Sequence, residues 1–114
     1  MYSLTSANRY YLYQGFVRMN LGIDGLFKII RLEMKDLSPV SGDIFLFFGK
    51  NRQSVKILRW DGDGFLLYYK RLEGGSFELP TFNPNTGNYE ISYQVLSFIL
   101  NGVSLKSVRL RKRF

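Results

Sequence analysis

An α+β fold, an antiparallel β-sheet meander with two main helices packed on it, is predicted by three features of this 114-residue sequence. The run Asp43–Phe48 is apolar without interruption after its first residue, as in a strand buried on both faces. Asp61-Gly62-Asp63-Gly64 stands between two apolar stretches and supplies residues that tolerate the positive φ angles of a hairpin turn. From Leu21 to Lys35, Ile23, Leu26, Phe27, Ile30 and Met34 recur at three- and four-residue steps, the period of one helix face.

The elements follow in order. Arg9–Tyr13, Tyr-rich and set between Asn8 and Gly15, reads as a short strand. The helix over Leu21–Lys35 carries Lys28, Arg31 and Lys35 on the side opposite its apolar stripe. Asp24 in its first turn and Lys35 in its last suit the helix dipole, while Gly22 and Gly25 weaken its start. Ser38-Pro39 and Ser41-Gly42 end it. Strands are expected at Asp43–Phe48, Ser54–Trp60 and Phe65–Leu72, with Gly49–Gln53 as a polar turn and Phe77–Pro80 as a further short strand. Consecutive hairpins make the antiparallel meander the economical arrangement. Thr81–Glu90, rich in Asn, Gly and Pro, reads as a surface loop. Ser92 suits the N-cap of a second helix over Tyr93–Leu100, and Asn101-Gly102 its stop. Residues 1–105 make a single domain, and 106–114 a basic tail.

Composition narrows the chemistry. With 46% hydrophobic and 17% aromatic residues the chain can build a core. It has no cysteine, which excludes disulfides and thiolate metal sites, and no histidine, which removes the usual general base and commonest metal ligand. No cofactor and no metal are expected, and the chain reads as non-catalytic. Sixteen Lys and Arg against nine Asp and Glu leave a net charge of +7, which attracts polyanions such as DNA. The N-terminus lacks a signal-peptide layout and the apolar runs are too short to span a bilayer, so a soluble cytoplasmic protein is expected.

Several stretches carry a resemblance: Arg9-Tyr10-Tyr11-Leu12-Tyr13, Gly22-Ile23-Asp24-Gly25-Leu26, Pro39-Val40-Ser41-Gly42-Asp43-Ile44-Phe45-Leu46-Phe47, and above all Lys56 through Glu73 with its Trp60-Asp61-Gly62-Asp63-Gly64-Phe65 turn and Lys70-Arg71 pair. In this order they resemble the TnpB accessory proteins of the IS-66 group of insertion sequences, over roughly residues 9 to 102. The chain departs from that pattern before the first helix, where Arg18-Met19-Asn20-Leu21-Gly22 stands in place of an Asp-Met-Arg-Lys-Gly stretch. The resemblance implies an accessory role in transposition, with the strand-transfer chemistry on another polypeptide; the basic charge makes DNA at the element ends a candidate partner, beside the transposase. The resemblance brings no active site to carry over.

Read residue by residue, the candidates for nucleic-acid contact are Lys56, Arg59, Lys70 and Arg71, interleaved with Trp60, Tyr68 and Tyr69, and the tail residues Arg109, Arg111, Lys112 and Arg113 with Lys106. Basic groups neutralise phosphates and aromatic faces stack on bases. Strand alternation puts Lys56 and Arg59 on opposite faces, and likewise Lys70 and Arg71, which argues against one continuous patch. Lys28, Arg31 and Lys35 read as a solvated face. Asp61 and Asp63 read as turn residues rather than as a two-metal nuclease site. The apolar helix Tyr93–Leu100 offers either core packing or a homodimer contact through Tyr93, Leu96, Phe98 and Leu100. The alternative function is an adaptor that touches only the transposase complex and never DNA.

Overall fold

Ile44–Phe48 are all buried, and they form the middle strand of a five-stranded sheet. The computed structural model describes residues 4–81 and 90–102. Its elements run β1 (Tyr10–Phe16), α1 (Ile23–Glu33), β2 (Ile44–Phe48), β3 (Ser54–Trp60), β4 (Phe65–Arg71), β5 (Glu90–Ile91) and α2 (Tyr93–Leu100), with sheet order β4-β3-β2-β1-β5.

Strands β2, β3 and β4 form the expected antiparallel meander, with Phe45 opposite Leu58, and Leu58 opposite Leu67. The rest corrects the prediction. β1 pairs parallel with β2, Tyr10 beside Ile44 and Leu12 beside Leu46, so the sheet is mixed. The cause is α1. A chain that leaves a strand and crosses one face as a helix returns to the end it started from, so the next strand runs in the same direction. The register between β1 and β2 shifts between Leu12 and Phe16, where β1 bulges.

Two cores result, one on each face. On one, Tyr11, Phe45, Phe47 and Leu58 pack against Leu26, Ile30 and Met34 of α1. On the other, Tyr10, Leu12, Ile44, Leu46, Phe48, Val55 and Ile57 pack against Leu96 and Ile99 of α2. The period-2 alternation of β2 therefore feeds both layers, which is why the strand has no polar position.

Four local expectations change. β1 runs from Tyr10 to Phe16, three residues beyond the expected end at Tyr13, because it continues past its bulge to pair Phe16 with Phe48. Residues 77–80 form no strand: the Phe77 N–H donates to the Arg52 carbonyl at 2.6 Å, and its ring meets Phe48 edge-on at 5.4 Å, so the segment is fixed by an anchor rather than a ladder. Glu90 belongs not to a loop but to β5, paired antiparallel with Tyr11, while residues 82–89 lie outside the described residues. α1 is shorter than Leu21–Lys35, because Gly22 caps it without a side-chain bond and Met34 leaves helical geometry. The second helix matches its predicted bounds. Ser92 Oγ accepts the Val95 N–H at 3.1 Å, and Gly102 takes the left-handed φ of 73° that stops the helix. No helix among the described residues is long and apolar enough to cross a membrane.

This packing makes two outcomes measurable. Phe47→Ala should cost about 3–5 kcal/mol, read as a lowered denaturation midpoint at unchanged slope, because the ring is fully buried and α1 can only partly collapse onto the gap. Tyr10 is buried and donates its hydroxyl to the Thr5 carbonyl at 2.7 Å. Burial, with the neighbouring Tyr93, holds its pKa above the ordinary tyrosine value. A raised folded-state pKa means that this stability is present below the unfolded value of 10.0 and is lost as pH rises through the folded one. Melting temperature should therefore fall on the alkaline side of pH 10, and Tyr10→Phe should make that fall shallower.

Candidate nucleic-acid interface

The hairpin joining β3 and β4 sets the first group of basic residues. Asp61 N–H donates to the Gly64 carbonyl at 2.8 Å and Gly62 takes a φ of 82°, so Asp-Gly-Asp-Gly is a backbone turn. Among the described residues no group of three or more Asp or Glu is placed to hold a metal ion. With that turn in place, Lys56 pairs with Tyr69, Ser54 with Arg71, Val55 with Lys70 and Arg59 with Leu66.

The pairing divides the predicted cations between the faces. Lys56 and Arg71 lie on the α1 side with Leu58 and Phe65, whereas Arg59 and Lys70 lie on the α2 side with Ile57 and Tyr68. The alternation read from the sequence holds, and the four do not merge into one patch.

Two of them also have work within the fold. The Lys56 ammonium donates to the Leu21 carbonyl at 2.6 Å and sits 5.8 Å from the centre of the Tyr69 ring. It ties the loop before α1 to the sheet. Lys70 donates to the Leu100 carbonyl at 2.9 Å, answering one of the open carbonyls at the end of α2. Arg71 is paired with Glu73 at 3.1 Å with both side chains largely exposed, a geometry that adds little stability. Arg59 is half-buried. Lys106, Arg109, Arg111, Lys112 and Arg113 lie outside the described residues.

The aromatic residues divide in the same way. Trp60 and Phe65 stack edge-to-face at 5.0 Å, and Phe65 meets Phe27 of α1 at 5.8 Å, so this group closes the sheet against the helix. Tyr68 packs on the α2 core, while Tyr69 stays 54% exposed beside Lys56. Lys28 and Arg31 are exposed on α1, Arg31 lying over its own neighbour Phe27 at 5.9 Å, and Lys35 is exposed beyond the helix end. On α2, Leu96 is in the core, Phe98 and Leu100 are half-buried, and Tyr93 is exposed against Tyr10.

Sequence reading passed over a further set of cations. Strands β1 and β2 are parallel, so the loops that follow them emerge at the same end of the sheet. Val17 N–H donates to the Phe48 carbonyl at 2.9 Å and locks the two loops together. Arg18, Lys50 and Arg52 project from them, all exposed and with no acidic partner among the described residues. The signal for this cluster is the parallel pairing itself, which strand periodicity does not encode. At the opposite end Arg9 lies beside Tyr11, Glu90 and Asp43, which together push its guanidinium pKa up.

Lys56→Met should loosen the loop before α1 by removing its hydrogen bond to Leu21. The expected loss is about 1 kcal/mol of stability in chemical denaturation, with faster amide exchange confined to residues 18–23.

Comparison with known proteins adds the family. The profile described as IS66 Orf2 like protein matches residues 8–110. "Uncharacterized protein y4hO" of Sinorhizobium fredii is 32% identical over 95 residues, covering 83% of this chain and 80% of that protein. "Uncharacterized protein y4jC" of the same organism is 30% identical over 88 residues, covering 77% of this chain and 73% of the relative. No solved structure matches the chain.

Proposed function

The chain belongs to the IS66 Orf2-like family of insertion-sequence accessory proteins, and from that membership we propose that it assists transposition by contacting DNA, the transposase, or both. The single observation that carries the reading is the family match across residues 8–110; the charge of +7 supports the DNA contact within it. The chemistry of strand transfer belongs to another polypeptide in this reading, and the chain works without catalysis, alongside DNA in the cytoplasm. Lys56, Arg59, Lys70, Arg71 and the tail residues Arg109, Arg111, Lys112 and Arg113 are the contacts proposed from the sequence.

One observation favours a second reading, an adaptor that touches only proteins of the transposase complex. Lys56 and Lys70 are committed to carbonyls inside the fold, which leaves less charge for phosphates than their number suggests. β4 lies at an edge of the sheet, with Tyr69 exposed on it, and a partner strand could pair there. Self-association through Tyr93, Phe98 and Leu100 belongs to the same reading, with Leu96 acting from the core.

Equilibrium binding to element-end duplex and to scrambled duplex across a salt series separates the two. A DNA-contacting protein should give a log–log salt slope of about −4 to −8 and prefer the element end. Sequence-blind binding that disappears by physiological salt, with recovery of a transposase complex after nuclease treatment, would replace the DNA reading with the adaptor.

A further inference from the structure

The β2–β3 hairpin holds an arginine where hairpins usually place glycine. Arg52 has a φ of 59°, and it is the single non-glycine residue with a positive φ among the described residues. An L-residue with a long side chain enters this left-handed region at a cost, which persists only where the surroundings enforce it. Here they do. Arg52 N–H donates to the Gly49 carbonyl at 2.9 Å, Gln53 N–H to Asn51 Oδ1 at 3.0 Å, and the Arg52 carbonyl accepts the Phe77 N–H. The backbone demands of such a turn are best met by glycine, so the arginine brings something other than backbone fit.

What it brings is a position. Arg52 stands in the hairpin two residues from Lys50 and lines a pocket with Gln14, Phe16, Leu79 and Pro80, while Arg18 and Lys50 line a separate depression with Val17, Met19, Gly49 and Asn51, so the cations flank the same end of the sheet from two pockets. Two loops fixed to each other thus present Arg18, Lys50 and Arg52 at the end of the sheet where β1 and β2 finish. Lys56 and Arg71 stand just inside that end on β3 and β4. Acids occur there too: Asp24, Glu73, which is paired with Arg71, and Glu78. The opposite end carries Asp36, Asp43, Asp61 and Asp63, and its cations include Arg9 with Glu90 and Asp43 beside it. Among the described residues the charge is therefore graded along the strands, with the positive pole at the paired loops.

We infer that this rim, Arg18, Lys50 and Arg52 on the β1–α1 and β2–β3 loops, is the surface that grips the phosphodiester backbone of duplex DNA. Its cations are exposed, lack acidic partners among the described residues and are held by hydrogen-bonded loops, whereas Lys56 and Lys70 are tied inside the fold. Fixed cations of this kind position a protein on a duplex without reading its sequence. The inference rests on the DNA-contact reading above and assigns it a place.

The test is fluorescence-anisotropy binding of the full chain to a duplex across a salt series, with melting temperature measured for every variant. Arg52→Gly should weaken binding several-fold while its melting temperature is no lower than that of the unsubstituted chain, since glycine relaxes the left-handed residue. Arg52→Lys should bind within about two-fold, because a cation suffices for a phosphate. Arg18→Ser with Lys50→Ser should flatten the log–log salt slope by roughly 0.9 for each phosphate that is no longer neutralised. Lys28→Ser with Arg31→Ser, on the outer face of α1, is the control and should change little. Rim variants that bind like the unsubstituted chain, or a control pair that weakens binding equally, would overturn the rim and leave DNA contact to another surface. An unsubstituted chain without affinity for DNA at low salt would remove both the rim and the DNA reading, leaving the adaptor.

Discussion

Burial of β2 on both faces is the constraint from which the rest of the fold follows. Its five residues send Ile44, Leu46 and Phe48 into one core and Phe45 and Phe47 into the other. A strand of that kind is stable only if both faces of the sheet are covered and both of its edges are paired. β3 satisfies one edge through a short antiparallel hairpin, and β1 satisfies the other. Because β1 reaches β2 through a helix, their pairing is parallel and α1 covers the face it crosses. The opposite face is then left for α2, which arrives through β5 beside β1.

That arrangement decides where charge can be displayed. The two lysines of β3 and β4 emerge beside the two helix-covered cores, and each ammonium finds a carbonyl at the margin of a helix: Lys56 at the approach to α1, Lys70 at the end of α2. Lys70 thereby answers a carbonyl at the end of α2, and Lys56 ties down the loop before α1. Residues in the loops after β1 and β2 carry no such obligation. Parallel pairing brings those loops to one end of the sheet, and there Arg18, Lys50 and Arg52 are exposed. The sheet thus displays a charged rim at one end and, among the described residues, β4 at its edge.

Much of this could be read along the chain, and what could be read is local. The Asp61–Gly64 turn, the bounds of β3 and α2, the Ser92 cap and the Gly102 stop each depend on a few neighbouring residues, whose backbone preferences act in any context. The alternation that separates Lys56 from Arg59 is equally local, since it follows from the two-residue period of a strand. The stretches shared with the insertion-sequence family were likewise visible in order, and they pointed to the family the profile match supports.

The sequence by itself thus determined the two helices and the strands β2 to β4, the turn that pairs β3 with β4, the strand buried on both faces and the family. Only the tertiary structure decided that β1 lies parallel to β2, that Glu90 and Ile91 close the far edge, that Phe77 is an anchor rather than a strand, and that Arg18, Lys50 and Arg52 share one rim. The physical reason is the same for all four. Propensity and periodicity describe how a segment folds against itself, whereas strand neighbours and loop positions are chosen by which arrangement buries both faces of β2 at once. That choice depends on residues far apart in the chain.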